Sequence, residues 1–138
     1  MAAFLRNKYS DYKVTIHQAA LSQAKGTISF NDNSSRTSMI SQSSETTVDC
    51  IDLDTALAER KKPIDFIKLN IEGAEIDALK GARQLIRSDR PILAIHAYHK
   101  ASHIWEVPLM IKSIDPTYRL YFRHQDCSLM ESVFYAIP

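Results

Sequence analysis

Ile64-Asp65-Phe66-Ile67-Lys68-Leu69-Asn70-Ile71-Glu72-Gly73-Ala74-Glu75 reads as a buried strand that ends abruptly in carboxylates and a glycine. A helix starts directly behind it. Strand-to-helix turns of this kind sit at the carboxyl edge of parallel α/β sheets, where ligands bind. The polar end of this strand is therefore the first place to look for chemistry.

Downstream, Ile76, Leu79, Ala82, Leu85 and Ile86 have helical spacing, which predicts one helix over 74–88 with a basic far end. Arg90-Pro91 ends it, and Pro91 to His96 reads as the next buried strand. A second helix is expected from about Ser102 to Ile114, with Pro108 kinking it or limiting its start. Tyr118–Arg123 and Ser132–Ile137 then read as two strands forming an antiparallel edge pair.

Upstream, Asp54 is expected to cap a brief helix, Thr55 to Lys61, stopped by Pro63. Thr47 to Leu53 is extended before it. Val14–Leu21 and Gly26–Phe30 read as strands paired through the turn at Ser22–Gly26. Between them and Thr47 the Ser/Thr/Asn-rich stretch 31–47 has no periodicity and is expected to be a flexible surface loop. Met1 to Tyr9 reads as the tail of an amphipathic helix with Phe4 and Leu5 inward. The order strand–helix–strand–helix–strand–strand indicates an α/β sheet. An antiparallel ending of this kind is what Rossmann-like methyltransferases have.

A chain of 138 residues suits one domain with a real core and is too short for two. Hydrophobic content of 45% and charged content of 24% are ordinary for a globular fold. A net charge of +1 gives no electrostatic case for nucleic acid or an anionic membrane surface. No apolar run approaches the roughly 20 residues that span a bilayer. Cys50 and Cys127 lie far apart, as reduced thiols of a cytosolic protein would. The amino terminus lacks a long apolar signal core, so the expected location is the cytoplasm.

Asn70, Glu72 and Glu75 crowd the end of the central strand, and period-two geometry would put Asn70 and Glu72 on one side of it. An amide beside a carboxylate can bind a hydroxyl or amine, and Glu72 could act as a general base. The plainer alternative, favoured by spacing alone, is that Glu72 and Glu75 only stabilise the helix amino terminus. Lys68, mid-strand, calls for a partner such as Asp65 or Glu72. His96, Tyr98 and His99 end the next strand, and with His103 and His124 they place four of the five histidines between residues 96 and 124. Acid/base chemistry or a metal could use them, but no helical HExxH pattern supports zinc, and His103 is expected to be a loop histidine. Arg123, His124 and Asp126 form another polar cluster on that rim. Trp105 and Met110 are expected in the core.

The Phe-Ile-Lys-Leu-Asn-Ile-Glu-Gly-Ala-Glu core at 66–75, followed by Leu79-Lys80-Gly81-Ala82, resembles the signature of FkbM-type methyltransferases. These are S-adenosylmethionine-dependent enzymes of Rossmann-like fold, many of which O-methylate hydroxyls on sugars and natural products. Lys68, Glu72, Gly73 and Glu75 match the family pattern, while Asn70 stands where the family has aspartate. Asp49–Asp54, Ala97-Tyr98-His99-Lys100, Trp105-Glu106-Val107-Pro108 and Tyr121-Phe122-Arg123-His124 extend the resemblance along nearly the whole chain.

By that resemblance, Glu72, Asn70 and His96 would be catalytic, and Asn70 and Glu72 would also touch the cofactor. Glu75, Tyr98, His99, Arg123 and His124 would line the site for a small hydroxyl-bearing acceptor. The only glycines are Gly26, Gly73 and Gly81, so neither a GxGxxG turn nor a P-loop is present. The glycine-rich cofactor loop and the acidic residue that holds the ribose in the family are missing too. The resemblance therefore implies a partial methyltransferase domain over 1–138, lacking the first two strands of its sheet and with little hold on the cofactor. The alternative is a non-catalytic α/β module that forms a homodimer through the uncovered strand edge.

Overall fold

The computed structural model describes Lys8 and residues 13–29, 47–124 and 131–138. The expectations for Phe4, Leu5, the loop before Thr47, Asp126 and Cys127 fall outside these residues. The elements in chain order are β1 (Ala20–Leu21), β2 (Gly26–Ser29), β3 (Thr47–Ile51), α1 (Leu53–Ala56), β4 (Phe66–Leu69) and α2 (Glu75–Lys80). They continue with α3 (Arg83–Asp89), β5 (Ile92–His96), α4 (His103–Ile114), β6 (Arg119–His124) and β7 (Ser132–Ile137). The α/β reading holds, but the strands form two sheets.

The larger sheet has the order β4-β5-β7-β6. β4 and β5 are parallel, and β7 runs antiparallel to both β5 and β6. The expected terminal pair is present, with β7 inside the sheet and only β6 at its edge. The smaller sheet, β1-β3-β2, corrects the amino-terminal expectation. Ala20–Leu21 pairs parallel with Cys50–Ile51, and Gly26–Ser29 pairs antiparallel with Thr47–Cys50. The Ser22–Gly26 turn therefore closes no hairpin; both of its arms flank β3.

One face of the larger sheet is covered. Ile67, Leu69, Leu93, Ile95 and Ala136 pack against Leu79, Ile86, Val107 and Ile111 from the helices α2, α3 and α4. On the other face Phe66 and Ile92, cross-strand neighbours, are 52% and 41% exposed. β4 thus alternates rather than being apolar on both sides, and Lys68 lies on its exposed row. That removes the cost expected of a buried lysine.

The single helix expected over 74–88 is broken at Gly81-Ala82. A Cβ at Gly81 would run into the Ser22 carbonyl oxygen and come within 2.8 Å of Asp52 Cβ. The Gly81 carbonyl accepts the Asp54 N–H at 2.8 Å, tying α1 to the turn between α2 and α3. Asp52, not Asp54, caps α1, accepting the Thr55 N–H at 2.7 Å. Asp54 instead caps α3 across the gap, accepting the N–H groups of Gln84 and Leu85. α4 runs through Pro108, and its start buries His103.

Candidate active site at the end of strand β4

β4 stops at Leu69, and the chain reverses at Glu72 (φ 55°) and Gly73 (φ 96°). The period-two expectation for Asn70 and Glu72 therefore fails, because the strand has ended before either. Gly73 is required by its backbone conformation. Its φ is one that side chains rarely adopt, and an added Cβ would sit 3.0 Å from Lys100 Cε. The turn lifts the Glu72 side chain to 35% exposure while the next carboxylate, Glu75, enters the protein completely.

Glu75 is the centre of the cluster. Its Oε1 accepts the Ile71 N–H at 2.9 Å and lies 2.9 Å from His99 Nδ1; its Oε2 lies 3.4 Å from His103 Nδ1. His99 Nε2 in turn faces Glu72 Oε2 at 3.6 Å. The histidine contacts are close charge-to-ring approaches, not linear hydrogen bonds, and Glu75 Oε2, both His99 nitrogens and His103 Nδ1 have no hydrogen-bond partner among the described residues. Glu72, His99, Glu75 and His103 thus form a string from half-exposed rim to sealed interior. His103, expected in a loop, is its innermost ring, 1% exposed at the head of α4.

Tyr98 donates to Asn70 Oδ1 at 3.2 Å and stacks obliquely on His99 with ring centroids 4.2 Å apart. His96 meets the Tyr98 ring edge-on at 5.6 Å. His96 shares the strand row of Ile92 and Ala94, on the side of the sheet away from the helices. Burial pushes the imidazoles of His96 and His103 below their ordinary value of 6.5 despite nearby carboxylates, Glu131 for His96 and Glu75 for His103.

Asn70, Glu72, Glu75, Tyr98 and His99 are brought together, with His96 adjoining them. Arg123 and His124 lie on the same rim but two strands further across, since Arg123 pairs with Val133, whose other neighbour is His96. Arg123 lines a groove of about 420 Å³ with Ile92, Tyr121, Tyr135 and Ile137, and His124 Nδ1 contacts Ser132 Oγ at 2.9 Å. Trp105, expected in the core, is 56% exposed on α4, while Met110 packs against the core as expected. Among the described residues no group of three or more His, Cys, Asp or Glu converges on a metal position.

The model of the FkbM methyltransferase domain matches residues 5–127. This chain belongs to the FkbM methyltransferase family. A crystal structure of the methyltransferase FkbM from Methylobacillus flagellatus KT is similar, with a TM-score of 0.74 and 25% sequence identity. The likeness covers 97% of this chain and 32% of that one, so the chain spans about a third of its solved relative's length. No protein of curated function matches it.

Within this FkbM chain, cofactor fit can be judged from the groups at hand. Asn70 and Glu72 can meet hydroxyl or ammonium groups, but Asn70 Oδ1 already accepts from Tyr98. The three glycines are Gly26 beside Cys50, Gly73 in the rim turn and Gly81 between helices.

Proposed function

We propose that this chain is the acceptor-side part of an S-adenosylmethionine-dependent O-methyltransferase domain of Rossmann-like type, acting on a hydroxyl of a sugar or natural product. The observation that carries the reading is the family turn Ile71–Glu75, which holds the Glu72 carboxylate half-exposed at the carboxyl end of β4, beside Asn70 and Tyr98. A carboxylate in that position can accept the proton of an acceptor hydroxyl, while Asn70 and Tyr98 orient the molecule carrying it. The β7 strand lying antiparallel inside an otherwise parallel sheet supports the Rossmann-like reading.

The cofactor cradle lies outside the residues of this chain on this reading, and a cytoplasmic location goes with it. S-adenosylmethionine supplies an electrophilic methyl group where it is bound. A calorimetric titration of the chain with S-adenosylmethionine should show no micromolar binding; such binding would overturn the missing cradle. DNA upstream of the Met1 codon should read in frame through a glycine-rich segment. The longer chain it encodes should move labelled methyl onto hydroxyl acceptors, and Glu72→Gln should lower its kcat by about 100-fold or more. Wild-type rates from Glu72→Gln would remove the proposed role.

β4 is the edge strand of the larger sheet among the described residues, which favours one further reading, a homodimer paired along that edge. Gel filtration giving a clean monomer counts against it.

A further inference from the structure

Buried His103, Val107, Ile111 and Ile114 fix one side of α4 to the core. At about 3.6 residues per turn, the opposite side carries Trp105, Leu109 and Lys112, with Glu106 and Ser113 along its edge. All five are exposed, Leu109 to 66%, and Ile104 on the flank is exposed to 43%. Trp105 and Leu109 are one helical turn apart, so these side chains form a patch rather than scattered exposure. Beside Leu109 the surface is hollow. Ile76 of α2 and Glu106, Met110 and Ser113 of α4 line a groove of about 350 Å³. A projecting leucine next to an apolar hollow suits a two-fold interface, in which each copy offers the other the same knob and the same hole.

Charge decides how two such faces meet. Glu106 stands three residues before Leu109 and Lys112 three after it, while Trp105 and Ser113 stand four before and four after. Two α4 helices packed antiparallel and centred on Leu109 therefore set each Glu106 level with the second copy's Lys112. Each Trp105 falls level with the small Ser113, which leaves room for an indole, and within reach of the Lys112 ammonium. Parallel packing would set Glu106 against Glu106 and Lys112 against Lys112. Both groups have capacity to spare. Glu106 Oε2 accepts from Ser102 Oγ at 2.8 Å, and Lys112 Nζ donates to the Pro116 carbonyl at 2.9 Å. These exposed contacts leave the second carboxylate oxygen and two ammonium hydrogens for a partner. The open side of the larger sheet, the other apolar surface, lacks such a balance. Phe66, Ile92 and Tyr121 are exposed there among Lys68, Arg119 and Arg123, and its four strands contain no carboxylate. A copy facing itself on that side would set cations against cations.

We propose that this chain self-associates through α4: two copies pack antiparallel about Leu109, with Trp105 over the second copy's Ser113 and Glu106 paired to its Lys112. The surface is separate from the carboxyl end of β4 and from the edge of that strand. The proposal therefore goes beyond the methylation reading and does not depend on it. One helix face per copy falls at the small end of specific interfaces, below about 1,200 Å² in total, which makes the dimer weak and concentration-dependent.

Sedimentation velocity over micromolar to millimolar concentrations should show the mass rising from one chain towards two. Tryptophan emission should shift to the blue over the same range as Trp105 leaves water. Leu109→Arg, at a side chain outside the core, should keep the native circular dichroism, hold the chain monomeric and hold its emission red. Glu106→Lys should weaken association by about tenfold, and adding Lys112→Glu to it should restore the wild-type constant, because the double variant reverses both charges of each pair. A monomer at every concentration overturns the proposal and leaves the face to another molecule. Association that survives Leu109→Arg, as pairing along the β4 edge would, overturns it too. A double charge variant no tighter than the single one overturns the antiparallel register. If Leu109→Arg does not fold, the charge variants decide.

Discussion

Gly73 and His103 show how far single residues depend on their surroundings. Gly73→Ala forces a side chain into φ 96° against Lys100, which should cost about 1–3 kcal/mol and be read as a lower thermal midpoint. It should also disturb the half-exposed placement of Glu72 on the adjoining residue. His96 and His103 are both held below their ordinary 6.5 by burial, so the unfolded chain takes up protons before the folded one does. Their contribution is therefore full above about 6.5 and is lost as pH falls below it. Denaturant melts between pH 7 and pH 5 should show falling stability, and His103→Gln should flatten that slope. Gly73 was legible because a glycine after a strand announces a turn. The burial of His103 was not, since only the packing of α4 on α2 decides whether a histidine heading a helix faces water. Asp52 took the cap expected of Asp54 for the same reason. Either can cap a helix locally, and the layout of α3 decides which one is needed where.

At the scale of elements, the break between α2 and α3 has a sharp test. Gly81→Ala drives a methyl group into the Ser22 carbonyl oxygen, backbone that cannot step aside, and overpacking of this kind costs about 1–3 kcal/mol. Circular dichroism melts check it, and an unchanged midpoint would mean that the small sheet does not lie against this turn. The connection from α1 to β4 is pinned by Arg60. Its Nε donates to Asp89 Oδ2 at 2.7 Å, and the same carboxylate oxygen accepts the Ile64 N–H at 2.9 Å. Arg60→Ala leaves that carboxylate with neutral donors only, the Ile64 N–H and the Ser88 hydroxyl, and should lower the midpoint of chemical denaturation. β4, β5 and the β6–β7 pair were readable from short apolar runs bounded by turn residues. The helix break was not, because apolar spacing continues across Gly81 and the reason for the glycine lies 59 positions earlier in the chain. The expected β1–β2 hairpin failed similarly. Both segments look like strands, and nothing local says that a third strand enters between them.

For the whole molecule, acid should act in two stages. Below the histidine range, three carboxylates come into play. Arg60 beside Asp89 holds its carboxyl well below the usual carboxylate range, and hydrogen bonds from Thr117 do the same for Asp115. At Asp52 burial pushes upward, but the hydrogen bonds from Thr55 outweigh it and leave the group below 3.8. The stability these groups provide is complete above their unfolded value near 3.8 and is lost as pH falls through their folded values. Chemical melts at a series of pH values should show a shallow decline below about 6.5 and a steeper one below about 4. Arg60→Ala should remove part of the second. The α/β class was legible from element order alone, whereas the division into two sheets depends on contacts between distant segments. The exposed position of Trp105 on α4 has a practical consequence. It is the only tryptophan in the chain, and in the folded protein its indole already faces water. Native emission will therefore be red-shifted and readily quenched by acrylamide, making tryptophan fluorescence a poor gauge of unfolding. The same lamp sits near the amino end of α4, so a blue shift on mixing would announce any molecule that settles over that helix.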